Sequence, residues 1–187
     1  MNVRRCHPRT SCQHTFIKER ERKGIIPRRH VRIYCFIESI TGGQTSIVVS
    51  NQSTANANMA EVLTEYSGTN IVPDVWRFGN TGNSTTLTTA TTDTTTHANE
   101  LIVLVAGQRG TFSSEQTSWA SSLTNSFSIV SQTSSFVNTT NNDRAVAFLE
   151  RIVTSAGTYS TGITGNSHQF ACNLASFREI KVAPVFE

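Results

Sequence analysis

The chain has 187 residues and a mass of 20.5 kDa, the size of one compact domain rather than two. Only 16% of its residues are charged, and 27 Thr, 21 Ser and 14 Asn make a third of it small, polar and uncharged, poor material for helices and good material for strands and turns. The longest apolar run, residues 101–106, falls far short of the roughly 20 residues of a membrane-crossing helix, so no such span is expected.

The net charge of +3 averages two unlike pieces. Residues 1–36 carry ten Lys/Arg against Glu19 and Glu21, a charge of +8, while the rest of the chain sums to −5. A basic head of this kind suits an arm for nucleic acid, held by phosphate charge and weakened by salt, if the head is a genuine part of the protein. No secretion signal is legible, because Arg4 and Arg5 are followed by Cys-His-Pro-Arg and not by an apolar stretch. Phe16, Ile17, Ile25 and Ile26 are the only large apolar residues between Arg4 and Arg29, too few for a core strand. The expectation is a basic, poorly ordered or wrong-frame segment over residues 1–30, a β-sandwich domain over 31–180 and a tail over 181–187.

From His30 onward the pattern becomes that of strands. Val31, Ile33, Cys35 and Ile37 alternate with Arg32, Tyr34, Phe36 and Glu38, a period of two that places each set on one face. Thr41-Gly42-Gly43 is a turn, and residues 44–51 are the returning strand of a hairpin. Residues 58–68 alternate Ala60, Val62, Thr64 and Tyr66 with Met59, Glu61, Leu63 and Glu65 and are assigned to a strand. Residues 73–78 form a short edge strand, since Pro73 cannot donate to an interior ladder. The Thr/Ser tract 79–96 holds one strand at 85–89 and then a loop. Residues 100–106 (ELIVLVA) are the best buried strand, and strands follow at 127–133, 144–154, 157–163 and 168–177; a short helix competes only at 144–154. About nine strands with no helical crossovers give an all-β, antiparallel sandwich of the immunoglobulin-like or jelly-roll kind.

Four phrases carry a resemblance: IYCFIESITGGQTSIVVS (33–50), EYSG (65–68), TTTHANELIV (94–103), and TSAGTYS (154–160) with the final strand ending in Phe177. In that order they resemble an uncharacterised family of β-sandwich modules of bacterial secreted and cell-surface proteins, also found in phage structural proteins. The resemblance implies an extracellular or cell-surface, non-enzymatic module for adhesion, display or glycan contact. Such modules usually begin with strands that residues 1–30 do not supply. A missing strand would leave a sheet edge open to a partner chain.

Candidate chemistry is sparse. Cys6, Cys12, His14, His30 and Cys35 include zinc-type donors but lack paired ligand spacing, so no metal or other cofactor is expected. Cys35 and Cys172 lie on expected strands as small hydrophobes, with a disulfide between them left open. His97 and His168 have many serines nearby but no Gly-x-Ser-x-Gly elbow, and Glu61 and Glu65 share a face as ordinary surface acids do, so no enzyme is expected. Asp74, Asp93 and Asp143 sit in loop-like surroundings without a calcium-loop pattern. Asn51, Asn83 and Asn138 open glycosylation-type triplets of the kind a Ser/Thr-rich chain produces by chance. Trp76, Trp119 and Tyr159 are the candidate ligand contacts, aromatic rings able to stack on sugar faces, with a glycan or cell-surface ligand the expected partner. The runner-up is a viral or phage structural protein with a basic arm, and a hydrolase comes third.

Overall fold

Strand propensity in the apolar segments and the scarcity of helix formers resolve into a sheet. The computed structural model describes residues 60–64, 66, 71–116, 118–137 and 143–179, all within the compact unit Asn51–Glu187. Five strands are present among them: β1 (Ile71–Thr88), β2 (Glu100–Gly110), β3 (Ser128–Ser135), β4 (Asp143–Val153) and β5 (Gly162–Glu179). They make one antiparallel sheet in the order β1-β5-β2-β4-β3, with no helix among the described residues. The all-β, sandwich-like class anticipated from the strand pattern is therefore the observed one. None of these residues forms a helix long and apolar enough to cross a membrane. The segments 31–37 and 44–51, the 1–30 and 31–180 boundaries and the 181–187 tail lie outside the described residues or end there.

Alternation decides which face each strand buries. Ile102, Leu104 and Ala106 of β2, Ala145, Ala147 and Leu149 of β4 and Cys172 and Leu174 of β5 are buried on one face. Phe112, Trp119, Ala120 and Phe127, from the connection between β2 and β3, close over that face and complete the core. Burying a side chain such as Leu104 contributes about 1.5–3 kcal/mol, enough to decide strand over helix in 144–154, where alternation aligns Ala145, Ala147 and Leu149.

Two pairs of expected strands turn out to be single strands. Residues 73–78 and 85–89 belong almost entirely to β1, and 168–177 continues back through 162–167 into the end of 157–163 to give β5. The polar middles of both strands, which look like turns in isolation, pair with each other: Gly82 faces Phe170 and Ser84 faces His168. Three register shifts along this pairing, at Pro73/Trp76, Phe78/Thr81 and Ser84/Thr86, bend the long ribbon. Pro73 sits on β1, at the edge of the sheet that the described residues form, where a residue without an N–H is tolerated.

The strand expected over 58–68 is corrected: residues 60–64 and 66 form no β-ladder. Their period of two survives as alternating exposure, with Ala60, Val62 and Thr64 half-buried and Glu61 and Leu63 exposed. Tyr66 donates to Glu150 Oε2 at 2.5 Å and its ring lies 6.3 Å from that of Phe148. Alternating exposure without ladder bonds gives the same period of two as a strand, which is why the pattern misleads.

The threonine tract is held in a different way. Thr89, Thr92 and Thr95 are buried, and their N–H groups donate to the carbonyls of Thr161, Tyr159 and Gly157, each at 2.9 Å. Their Oγ1 atoms accept in return from the N–H groups of the same three residues, at 2.9, 2.9 and 3.1 Å. An ordinary antiparallel pair exchanges two backbone bonds. Here the threonine hydroxyl takes the place of the carbonyl. Three residues of the tract thus match two of the facing chain, which advance only about 6.7 Å, so each step must pucker and push its intervening residues outward. Thr91, Asp93 and Thr94 are accordingly exposed.

Candidate functional site

The threonine ladder ends where the chain turns into β2, and there the polar side chains converge. The shift after Pro73 takes Asp74 and Val75 out of register with β5, and Val75 N donates to Ser176 Oγ at 3.2 Å instead. Asp74 meets the bend at residues 96–99. Its Oδ2 accepts from Thr96 N at 2.7 Å and its Oδ1 from Thr96 Oγ1 at 2.5 Å. Asn99 adopts a left-handed φ of 59°, a conformation Asn tolerates better than most residues, and this returns the chain so that His97 N donates to Glu100 Oε1 at 3.0 Å. Arg178 closes the group, with Nε 3.9 Å from Asp74 Oδ1 and Nη1 3.4 Å from His97 Nε2.

The single hydroxyl proton of Thr96 orients the chain of contacts. It is donated to Asp74, so the 2.6 Å contact with His97 Nδ1 requires that nitrogen to carry the hydrogen and Thr96 to accept it. His97 Nε2 is then left with its lone pair toward Arg178. Glu100 is fully buried, and its Oε2 receives no hydrogen bond. Burial pushes the Glu100 carboxyl above its ordinary value, and the neighbouring Asp74 adds to this against the hydrogen bonds from Ser176 and His97 N. Burial also acts to raise Asp74. The hydrogen bonds from Thr96, the contact with Glu100 and the Arg178 charge outweigh it and hold Asp74 below its ordinary value. A proton kept on Glu100 and offered toward Asp74 suits both carboxyls.

Asp74, His97 and Glu100 are the one group of three His, Cys, Asp or Glu residues among those described whose donor atoms lie within 4.8 Å of one another. The sequence suggested Asp74 and His97 separately, as a calcium ligand and a hydrolase base. It did not suggest Glu100, which opens an apolar strand, nor Arg178 beyond the last aromatic of β5. The legible signal was the phrase TTTHANEL, which sets a hydroxyl, an imidazole and a carboxyl within five residues.

The other acids lie elsewhere. Asp93 is exposed and pairs with Arg77. Asp143 is fully buried and accepts from Phe112 N at 2.7 Å and Val137 N at 2.8 Å, anchoring the start of the β2 to β3 connection and the start of the β3 to β4 connection. His168 packs over Gly110, where an added Cβ would run into its Nδ1, and lies 4.9 Å from the Phe112 ring. Burial lowers its proton affinity, with Asp143 opposing. Cys172 is buried on β5; Cys35, Cys6, Cys12, His14, His30, Asn51, Asn138 and Glu65 lie outside the described residues, and Asn83 is exposed on β1.

The three aromatic candidates are not brought together by contacts of their own. Trp76 is 55% exposed on the edge strand β1, opposite Ala175. Trp119 is 4% exposed and belongs to the core, its indole N–H without a partner and its ring against Gly165, so stacking on an external ligand is closed to it. Tyr159 is half-buried, donates to Ser155 O and lies beneath the Arg151 guanidinium, 5.2 Å from its ring centroid. The fold and these groups define a class, an antiparallel β-sheet domain with a polar cluster at one end of its central strands. Compared with protein-family models, curated proteins and solved structures, the chain matches none.

Proposed function

We propose that this protein is a non-catalytic binding module that holds a glycan or similar hydroxyl-rich ligand at a cell surface or in a secreted assembly. The observation that carries the reading is Trp76, a large aromatic ring 55% exposed on an edge strand and paired across the sheet with a small residue, Ala175. An indole in that position offers an apolar face to the C–H face of a sugar and loses little freedom on binding. Exposed polar side chains farther along β1, Asn83, Thr85 and Thr86, supply hydrogen-bonding groups on the same strand. The resemblance of the phrases at 33–50, 65–68, 94–103 and 154–160 to those of secreted and cell-surface modules supports the extracellular setting. An immobilised glycan array, probed with the wild-type chain and with Trp76→Ala, tests it. Selective binding lost in the variant supports the reading; binding that survives Trp76→Ala, or none on any glycan class, removes it.

A further inference from the structure

We propose that Asp74, His97 and Glu100 form a binding site for a divalent transition-metal cation of the zinc class. The donor set is two carboxylates and one imidazole, the oxygen and nitrogen ligands that zinc accepts, and their donor atoms lie within 4.8 Å of one another. Glu100 is fully buried, and its Oε2 receives no hydrogen bond. A buried carboxylate oxygen with no donor is a costly feature unless a proton or a cation meets it. Calcium fits less well, because it prefers six or more oxygens and has no use for the imidazole.

The rest of the cluster acts as an outer layer. Thr96 fixes both ligands it touches, binding Asp74 through Oγ1 and N and accepting from His97 Nδ1, which leaves Nε2 as the coordinating nitrogen. Two ligands on one tetrahedral zinc ion are about 3.3–3.6 Å apart, since each bond is about 2.0–2.2 Å, so the trio must close around the ion. His97 is exposed on the bend at 96–99, where its ring can make that adjustment. Arg178 supplies a positive charge to the cluster, beside Asp74 and His97 Nε2. Its side chain is 30% exposed, so the guanidinium has a route to solvent when a cation enters. Arg178 is therefore a competitor for the site.

That competition separates a metal site from an ion-pair network with no ligand. The experiment is calorimetric titration of zinc into the full chain after chelator treatment, repeated for His97→Ala, Glu100→Gln, Thr96→Val and Arg178→Gln, each checked for folding by circular dichroism. The wild type is expected to bind with a stoichiometry that falls by one ion in both His97→Ala and Glu100→Gln, whatever the thiols of residues 1–36 bind besides. Thr96→Val should weaken that ion about 10- to 100-fold, the usual effect of removing an outer hydrogen-bond partner of a metal ligand. Arg178→Gln should bind it more tightly than the wild type. Unchanged stoichiometry in folded His97→Ala and Glu100→Gln overturns the proposal, as does weaker binding in Arg178→Gln.

Discussion

Two regions of the same domain are held by opposite means. In the β2, β4 and β5 region, Ile102, Leu104, Leu149 and Leu174 are buried and shape complementarity does the work. Along 89–95 the buried residues are Thr89, Thr92 and Thr95, and each is kept in place by a reciprocal pair of hydrogen bonds. The first region draws on an apolar effect proportional to area, the second on the high cost of leaving a buried N–H without an acceptor. The difference teaches that a low-complexity threonine run is not loose chain by composition alone. A period of three, set against a period of two, makes it a specific structural element, and this element carries the bend that presents Thr96 and His97.

Mutations can break the comparison from either side. The largest effect is expected for Leu104→Ala, which empties a fully buried site between β4 and β5 and should cost about 2–5 kcal/mol in urea unfolding. Thr92→Val comes next. It keeps the shape but removes the acceptor of Tyr159 N, at about 1–3 kcal/mol, whereas exposed Thr91→Val should stay within about 0.5 kcal/mol. If Thr91→Val and Thr92→Val cost the same, the ladder contributes nothing beyond composition.

The pH dependence is expected to be smaller and of two signs. Glu100 is raised in the folded chain, so from its ordinary 4.5 upward the unfolded chain releases a proton that the folded one keeps, and stability falls as pH rises toward the native value. Asp74 is lowered, so its contribution is present above its ordinary 3.8 and is lost as pH falls through its native value. Glu100→Gln removes the first limb and leaves the second. Unfolding curves for both proteins between pH 3 and 8 check this, and a decline at rising pH that persists in Glu100→Gln contradicts the assignment to that carboxyl.

Legibility followed the physics of each region. Strand β2 was plain because residues 101–106 are continuously apolar, and β4 because residues 145–149 form a second apolar run. The long ribbon of β1 and β5 was read as four pieces, since Gly82-Asn83-Ser84, which pairs with residues 168–170, and Thr164-Gly165-Asn166, beside the register shift at Ser84/Thr86, are turn-forming residues whose place in a ladder local sequence does not carry. The tract at 79–96 was read as one strand and a loop, and its three-residue hydrogen-bond period was missed because hydrophobic patterning does not register hydroxyls. Asp74 and His97 were singled out for unrelated chemistry, and only the bulge after Pro73 and the bend at Asn99 bring them to Glu100.

The claim on which the polar cluster depends is that the threonine tract is a bonded element and not a covering loop. Amide hydrogen exchange of Gly157, Tyr159 and Thr161, whose N–H groups end on threonine hydroxyls, tests it most directly. The account predicts protection of all three comparable to that of Leu104 in β2, and a selective loss at Tyr159 in Thr92→Val. Exchange of these amides at free-loop rates in the wild-type chain would contradict it.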